Sequence, residues 1–178
     1  MDTVETAGRK TSFPSDLGLL ILRVGLGTTM IQAGLIKALG FGTTTGYMET
    51  SGWRSPTFAA ALVTAAETAG GIGLLLGLLT PLAACAVTAA MIDAWAATVA
   101  GTAFWSEPVT VPFVTAFGAA ALLFTGAGAY SLDSTLIRRS RWPGLITVPL
   151  FLFAVAAAIA TWVVLNGVNP IHLDKPAS

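Results

Sequence analysis

The sequence predicts an all-α protein, a transmembrane helical bundle of five spans. Hydrophobic residues make up 54% of the 178 residues, charged residues only 10%, and mean hydropathy is +0.78. A soluble domain carries about a quarter of its residues as charged side chains, and its apolar runs seldom reach the roughly 20 residues needed to cross a hydrocarbon core about 30 Å thick. Here five runs reach or approach that length and leave no room for a separate soluble domain, so the lipid bilayer is the first partner. The formal net charge of zero, with no basic stripe interleaved with aromatics, argues against nucleic acid.

Residues 1–16 carry Asp2, Glu5, Arg9, Lys10 and Asp16 without apolar periodicity and read as a polar tail, with Ser15 or Asp16 capping the next helix. The apolar run that follows is too long for a signal-peptide core and lacks a small-residue cleavage site, so residues 17–39 read as a retained first span. Arg23, Gly27, Met30, Gly34 and Lys37 recur at helical spacing and share one face of it. Residues 40–56 form the longest polar connection, suited to an interfacial segment or a lid that brings Tyr47, Glu49 and Trp53 over a site.

The second span, 57–79, places Ala60, Thr64, Glu67, Gly70 and Gly71 on one side, and Gly73 with Gly77 makes a GxxxG edge for close helix approach. These glycines lie inside an apolar run with no preceding strand, which separates them from a nucleotide-binding loop. Leu79-Thr80-Pro81 turns the chain into a third span, 82–103, where Asp93 sits on a stripe with Ala86, Ala89, Ala90, Ala96 and Ala97. Such a stripe suits tight helix packing, so Asp93 is expected to face protein. Trp105, Glu107 and Pro108 turn the chain into a fourth span, 112–127. Ser131 then caps a polar helical turn shaped by Asp133, followed by Arg138, Arg139 and Arg141, a fifth span at 144–166 and a short tail.

Glu67 and Asp93 lie equally far from Thr80 on opposite arms of the hairpin, each about 20 Å from the turn at 1.5 Å per residue. An ionisable group at that depth needs a partner or a purpose. Proton handling by Glu67 and Asp93 is one expectation, with Arg23 and Lys37 completing a ligand-binding face; carboxyls that tie helices together are the alternative. Arg23 starts about 9 Å into the span and leans toward the helix N-terminus, so it is expected to snorkel to the interface, and Lys37 to anchor the opposite interface. Gln32 lies on the far side of its helix from the charged stripe.

Cys85 is the only cysteine and His172 the only histidine, so the chain holds no disulfide, no CxxC pair and no metal site of the commonest ligands. Cys85 reads as a small apolar filler. Arg138, Arg139 and Arg141 suit contact with anionic lipid or an acidic partner, and with Arg9 and Lys10 they put the N-terminus in the cytoplasm. Five spans then leave the C-terminus outside a cell membrane. Trp53, Trp105 and Trp162 fall at the outer interface and Trp142 at the inner one.

Residues 22–42 (LRVGLGTTMIQAGLIKALGFG), 67–84 (ETAGGIGLLLGLLTPLAA) and 122–136 (LLFTGAGAYSLDSTL) resemble the DoxX family of small membrane proteins in order and spacing. The resemblance implies a four-helix core over 17–143, preceded by the tail at 1–16 and followed by the fifth helix and tail at 144–178. It also implies redox chemistry at membranes, with a quinone as the cofactor. Where the family pattern often has a histidine in its first helix, this chain has Ala33, followed by Gly34 and Lys37. The expected role is an accessory subunit of a membrane redox or envelope complex, not catalytic on its own and joined to other membrane subunits. The alternatives are a quinone-linked oxidoreductase subunit using Glu67 and Asp93, and a small transporter or lipid-binding protein.

Overall fold

A computed structural model describes residues 13–101 and 107–167. The expectations for Arg9 and Lys10, for the turn at Trp105, and for the tail with His172 lie outside those residues. The described chain is helical, in the order α1 (Phe13–Leu39), α2 (Phe41–Thr50), α3 (Pro56–Leu76), α4 (Thr80–Gly101), α5 (Glu107–Thr125), the single turn α6 (Leu132–Thr135) and α7 (Gly144–Thr161). A π-helical turn, Trp162–Asn166, extends α7.

Among the described residues four stretches are long and apolar enough to cross a membrane: Phe13–Leu39, Pro56–Leu76, Thr80–Ala100 and Gly144–Asn166. The fourth predicted span is a shorter apolar helix, Thr110–Thr125, which covers about 24 Å at 1.5 Å per residue. The first helix starts four residues earlier than its apolar pattern suggested. Asp16, expected in the tail or as a cap, is buried in the first turn, and its Oδ1 accepts from the Ala129 N–H at 3.0 Å.

Helix α4 lies at the centre and packs against α3, α5 and α7, while α1 pairs with α3. Glycine sets the α1–α3 spacing. A Cβ on Gly34 would lie 2.2 Å from Thr68 Oγ1, and one on Gly27 would lie 2.8 Å from Leu75 Cβ, so the two backbones approach closer than any larger residue permits. On the neighbouring contact, a Cβ on Gly70 would meet Val87 Cγ2 at 2.7 Å and one on Gly73 would meet Ala83 Cβ at 2.7 Å. The halves of α3 and α4 nearest the Pro81 turn, hereafter the hairpin end, are therefore zipped together.

The hairpin end is capped from a distance. Gly77 closes α3 in the left-handed conformation at φ 62°, and Leu79 follows at φ 47°. Asp133, fully buried, accepts from the Leu79 N–H at 2.7 Å and the Thr80 N–H at 2.9 Å, and so supplies the first donors of α4 with an anionic partner. Asp133 also serves its own segment, accepting from Trp142 Nε1 at 3.4 Å and, through its carbonyl, from the Arg139 N–H at 2.9 Å, while Ser131 caps α6 through the Ser134 N–H at 3.2 Å; the cap on α4 is what the sequence did not suggest.

Arg23 corrects a second expectation. Its side chain is 1% exposed, and its guanidinium donates to the Tyr130 carbonyl beside Gly77, where a Cβ would lie 2.1 Å from Nη1. It does point toward the hairpin end, as its helix direction requires, but the segment after α5 folds over that end and encloses the charge. Cys85 is buried, its Sγ 3.3 Å from the Leu150 carbonyl of α7, in keeping with a packing role. Gln32 is exposed.

Candidate functional site

A cavity of about 430 Å³ opens beyond the zipped half, against α4 and between α3 and α7. Its floor is the small-residue face of α4, with Ala86, Ala89, Ala90, Ala94 and Ala97. This face was expected to pack tightly against another helix. In the structure α3 and α7 flank it instead, and several of its alanines remain partly exposed along the cavity. Alanine keeps the floor low, and Leu62 and Val63 of α3 with Phe153 of α7 form the sides.

Polar groups are few and grouped. Glu67 is 2% exposed and accepts from Lys37 Nζ with both oxygens, at 2.9 Å and 2.7 Å. Lys37, expected to anchor the interface, therefore points sideways from the end of α1 to neutralise the carboxylate of α3. An ammonium carries three donors and Glu67 engages two of them, and Lys37 is one of the residues that line the cavity. Asp93 lies on the same cavity from α4, and its buried Oδ1 has no hydrogen-bond partner among the described residues. An unsatisfied buried carboxylate oxygen is costly enough to require an explanation at this position.

The connection between α1 and α3 forms the far wall. Read in the sequence as an interfacial segment or a lid, it holds ten residues in α2, which turns Tyr47 and Met48 toward the cavity while Glu49 stays exposed. Trp53 is 7% exposed and meets the Trp162 ring edge-on at 5.6 Å between centroids. Arg54 ties this wall to the π-turn, with its N–H 2.6 Å from the Leu165 carbonyl and Nη1 3.1 Å from the Val164 carbonyl. Asn166 Nδ2 donates to the Ser51 carbonyl at 3.3 Å.

Of the four residues placed on one ligand face by sequence, the structure brings Lys37, Glu67 and Asp93 to one cavity and leaves Arg23 at the hairpin end. The profile of the DoxX family matches residues 18–101. The chain carries a DoxX domain. The match covers α1 to α4, which carry Lys37, Glu67 and Asp93. The GAGAYSLDSTL string lies past it, in the segment that encloses Arg23. Comparison with curated proteins found no match, and neither did comparison with solved structures. With its four candidate spans, this DoxX protein is a multi-pass membrane protein.

Sequence reasoning missed the Lys37–Glu67 pair, because the helix register that brings it together is set by contacts only the structure shows. Gly27 against Leu75 and Gly34 against Thr68 are one antiparallel register, and continued three residues it puts Lys37 beside Ala65, within a turn of Glu67. Arg138, Arg139 and Arg141 are exposed on the segment after α6, with the Arg139 guanidinium 5.7 Å from the Trp142 ring centroid. They take no part in the cavity. Among the described residues no group of His, Cys, Asp and Glu is arranged to hold a metal ion.

Proposed function

We propose that this DoxX protein is a subunit of a membrane redox assembly and binds a lipophilic carrier of the quinone class in the α3–α4–α7 cavity. One observation carries the reading: Asp93, whose Oδ1 has no hydrogen-bond partner among the described residues, and Lys37, which gives two of its three donors to Glu67, line one largely apolar cavity. A cavity of a few hundred cubic ångströms with few convergent polar groups is the usual form of a small-molecule site. A quinone head carries carbonyl acceptors and, when bound, supplies chemistry in which electrons and protons are taken up together.

The residues fit that group. The Lys37 ammonium donates to a carbonyl oxygen, held in place by the two bonds to Glu67. Asp93 exchanges a proton at Oδ1 or, protonated, donates a hydrogen bond from it. Glu67 keeps the ammonium oriented and its charge balanced. The alanine floor and the Trp53 wall keep water from the head, which strengthens each of these contacts. Electrons come from a partner subunit, since a chain with one cysteine and one histidine holds few of the usual ligands of a redox metal. By the positive-inside rule the hairpin end and its arginines face the cytoplasm of a cell membrane.

The test is titration of a decyl-substituted benzoquinone into purified protein in nanodiscs, followed by quenching of tryptophan fluorescence. Saturable quenching is expected, weakened at least tenfold by Asp93→Asn. Quenching that never saturates, or that both Asp93→Asn and Lys37→Met leave unchanged, removes the site from any such function.

A further inference from the structure

We propose that the cavity is filled sideways from the bilayer, through a slot between α3 and α7 with Leu62 and Phe153 as its posts. This deepens the quinone reading and rests on it. Contacts between elements cross the cavity toward each end of the bundle. Toward the hairpin end, Gly70 and Gly73 bring α3 against Val87 and Ala83 of α4 so closely that no Cβ fits between them. At the other end the Trp53–Trp162 contact and the Arg54 hydrogen bonds to Val164 and Leu165 tie the α2–α3 connection to the π-turn.

The flank is built differently. The contacts between α3 and α4 and between α4 and α7 leave the alanine face of α4 in the gap, because α3 and α7 each pack on α4 and scarcely on one another. Leu62 is 43% exposed and Phe153 64% exposed, yet both also line the cavity, so each has one side on the interior and one on the surface. In a spanning helix, apolar side chains exposed at this level meet lipid tails. The polar groups are recessed: Glu67 is buried on α3 and Asp93 lies on the α4 floor behind the posts.

This arrangement selects a ligand class. A molecule with a small polar head and a long apolar tail places its head against Lys37 and Asp93 while the tail leaves through the slot into the bilayer. The helices need not separate for the tail, and the apolar tail contributes binding through its solubility in lipid.

The test uses the full chain in phosphatidylcholine nanodiscs. The association rate of the decyl benzoquinone is measured by stopped-flow quenching against its mole fraction in lipid. Leu62→Cys with Phe153→Cys, bridged by a bis-thiosulfonate reagent and verified by mass, is expected to slow association at least tenfold, with recovery on reduction. Leu62→Trp with Phe153→Trp should slow it without chemical modification and so control for damage by the reagent. Arg54→Ala, which loosens the tryptophan end, should leave the rate unchanged. Wild-type rates in both gated proteins, or acceleration by Arg54→Ala, overturn the lateral route while saturable wild-type binding upholds the quinone site. Absence of saturable wild-type binding overturns the site and the route together.

Discussion

At the scale of single residues, Lys37 and Glu67 have to be treated as one unit. Removing only the lysine leaves a carboxylate that is 2% exposed with neither hydrogen-bond partner nor counter-charge. Breaking a buried pair in this way costs about 3 kcal/mol or more, whereas removing both charges costs far less. Lys37→Met is therefore expected to lower the melting temperature in detergent by several degrees, and Lys37→Met with Glu67→Gln to regain most of it. Equal melting temperatures for the single and double variants would show that the pair is uncoupled. Asp93 behaves oppositely. Its Oδ1 has no hydrogen-bond partner among the described residues, so Asp93→Asn sacrifices no bond seen there and should change stability by under about 0.5 kcal/mol while weakening ligand binding. A role in holding helices together would show the reverse, a lower melting point with binding intact.

At the scale of elements, the α1–α3 contact depends on glycines and α4 on a borrowed cap. Gly34→Ala forces a Cβ to within 2.2 Å of Thr68 Oγ1 and 2.7 Å of the Thr68 backbone nitrogen, and overpacking of this kind costs about 1–3 kcal/mol. Gly25→Ala, where nothing lies within 4 Å, is the matched control and should not destabilise. A thermal melt of the two variants side by side decides whether the helix face matters or only the count of glycines. Loss of a helix cap costs about 1–2 kcal/mol, so Asp133→Ala should destabilise by at least that, because the Leu79 and Thr80 donors lie in the interior. Hydrogen exchange should show the loss first at the start of α4, more than fifty residues away in sequence. Exchange confined to α6 would count against the assignment.

At the scale of the whole molecule, the segments that meet at the hairpin end are far apart in the chain. Asp16, Gly77–Thr80 and Ala129–Asp133 converge there, so all three lie on one side of the membrane. A membrane-impermeant thiol reagent applied to intact cells should label Thr50→Cys and spare Thr135→Cys, with labelling of both after lysis; the opposite pattern inverts the proposed topology. Much of this layout is legible in the sequence because lipid imposes a crude code: long apolar runs span, and a polar turn such as Leu79-Thr80-Pro81 joins them. The Gly27 and Gly34 face was equally readable, since helical spacing alone groups it. Less was legible where an outcome depends on a neighbour. Depth alone assigned Lys37 and Arg23 to the interfaces, whereas Glu67 on α3 claims the first and the Tyr130 carbonyl claims the second. The alanine stripe around Asp93 reads alike whether a helix fills its groove or a cavity does, and only the flanking positions of α3 and α7 distinguish them.

The enclosure of Arg23 has a consequence for biogenesis. Its acceptor, the Tyr130 carbonyl, is encoded 107 residues downstream. At a synthesis rate of about 5–20 residues per second, the first helix waits about 5–20 s in the membrane before that partner leaves the ribosome. During that interval the guanidinium lacks the Tyr130 carbonyl that it bonds in the finished bundle. The enclosed position of Arg23 is thus reached only after the segment following α5 has been made.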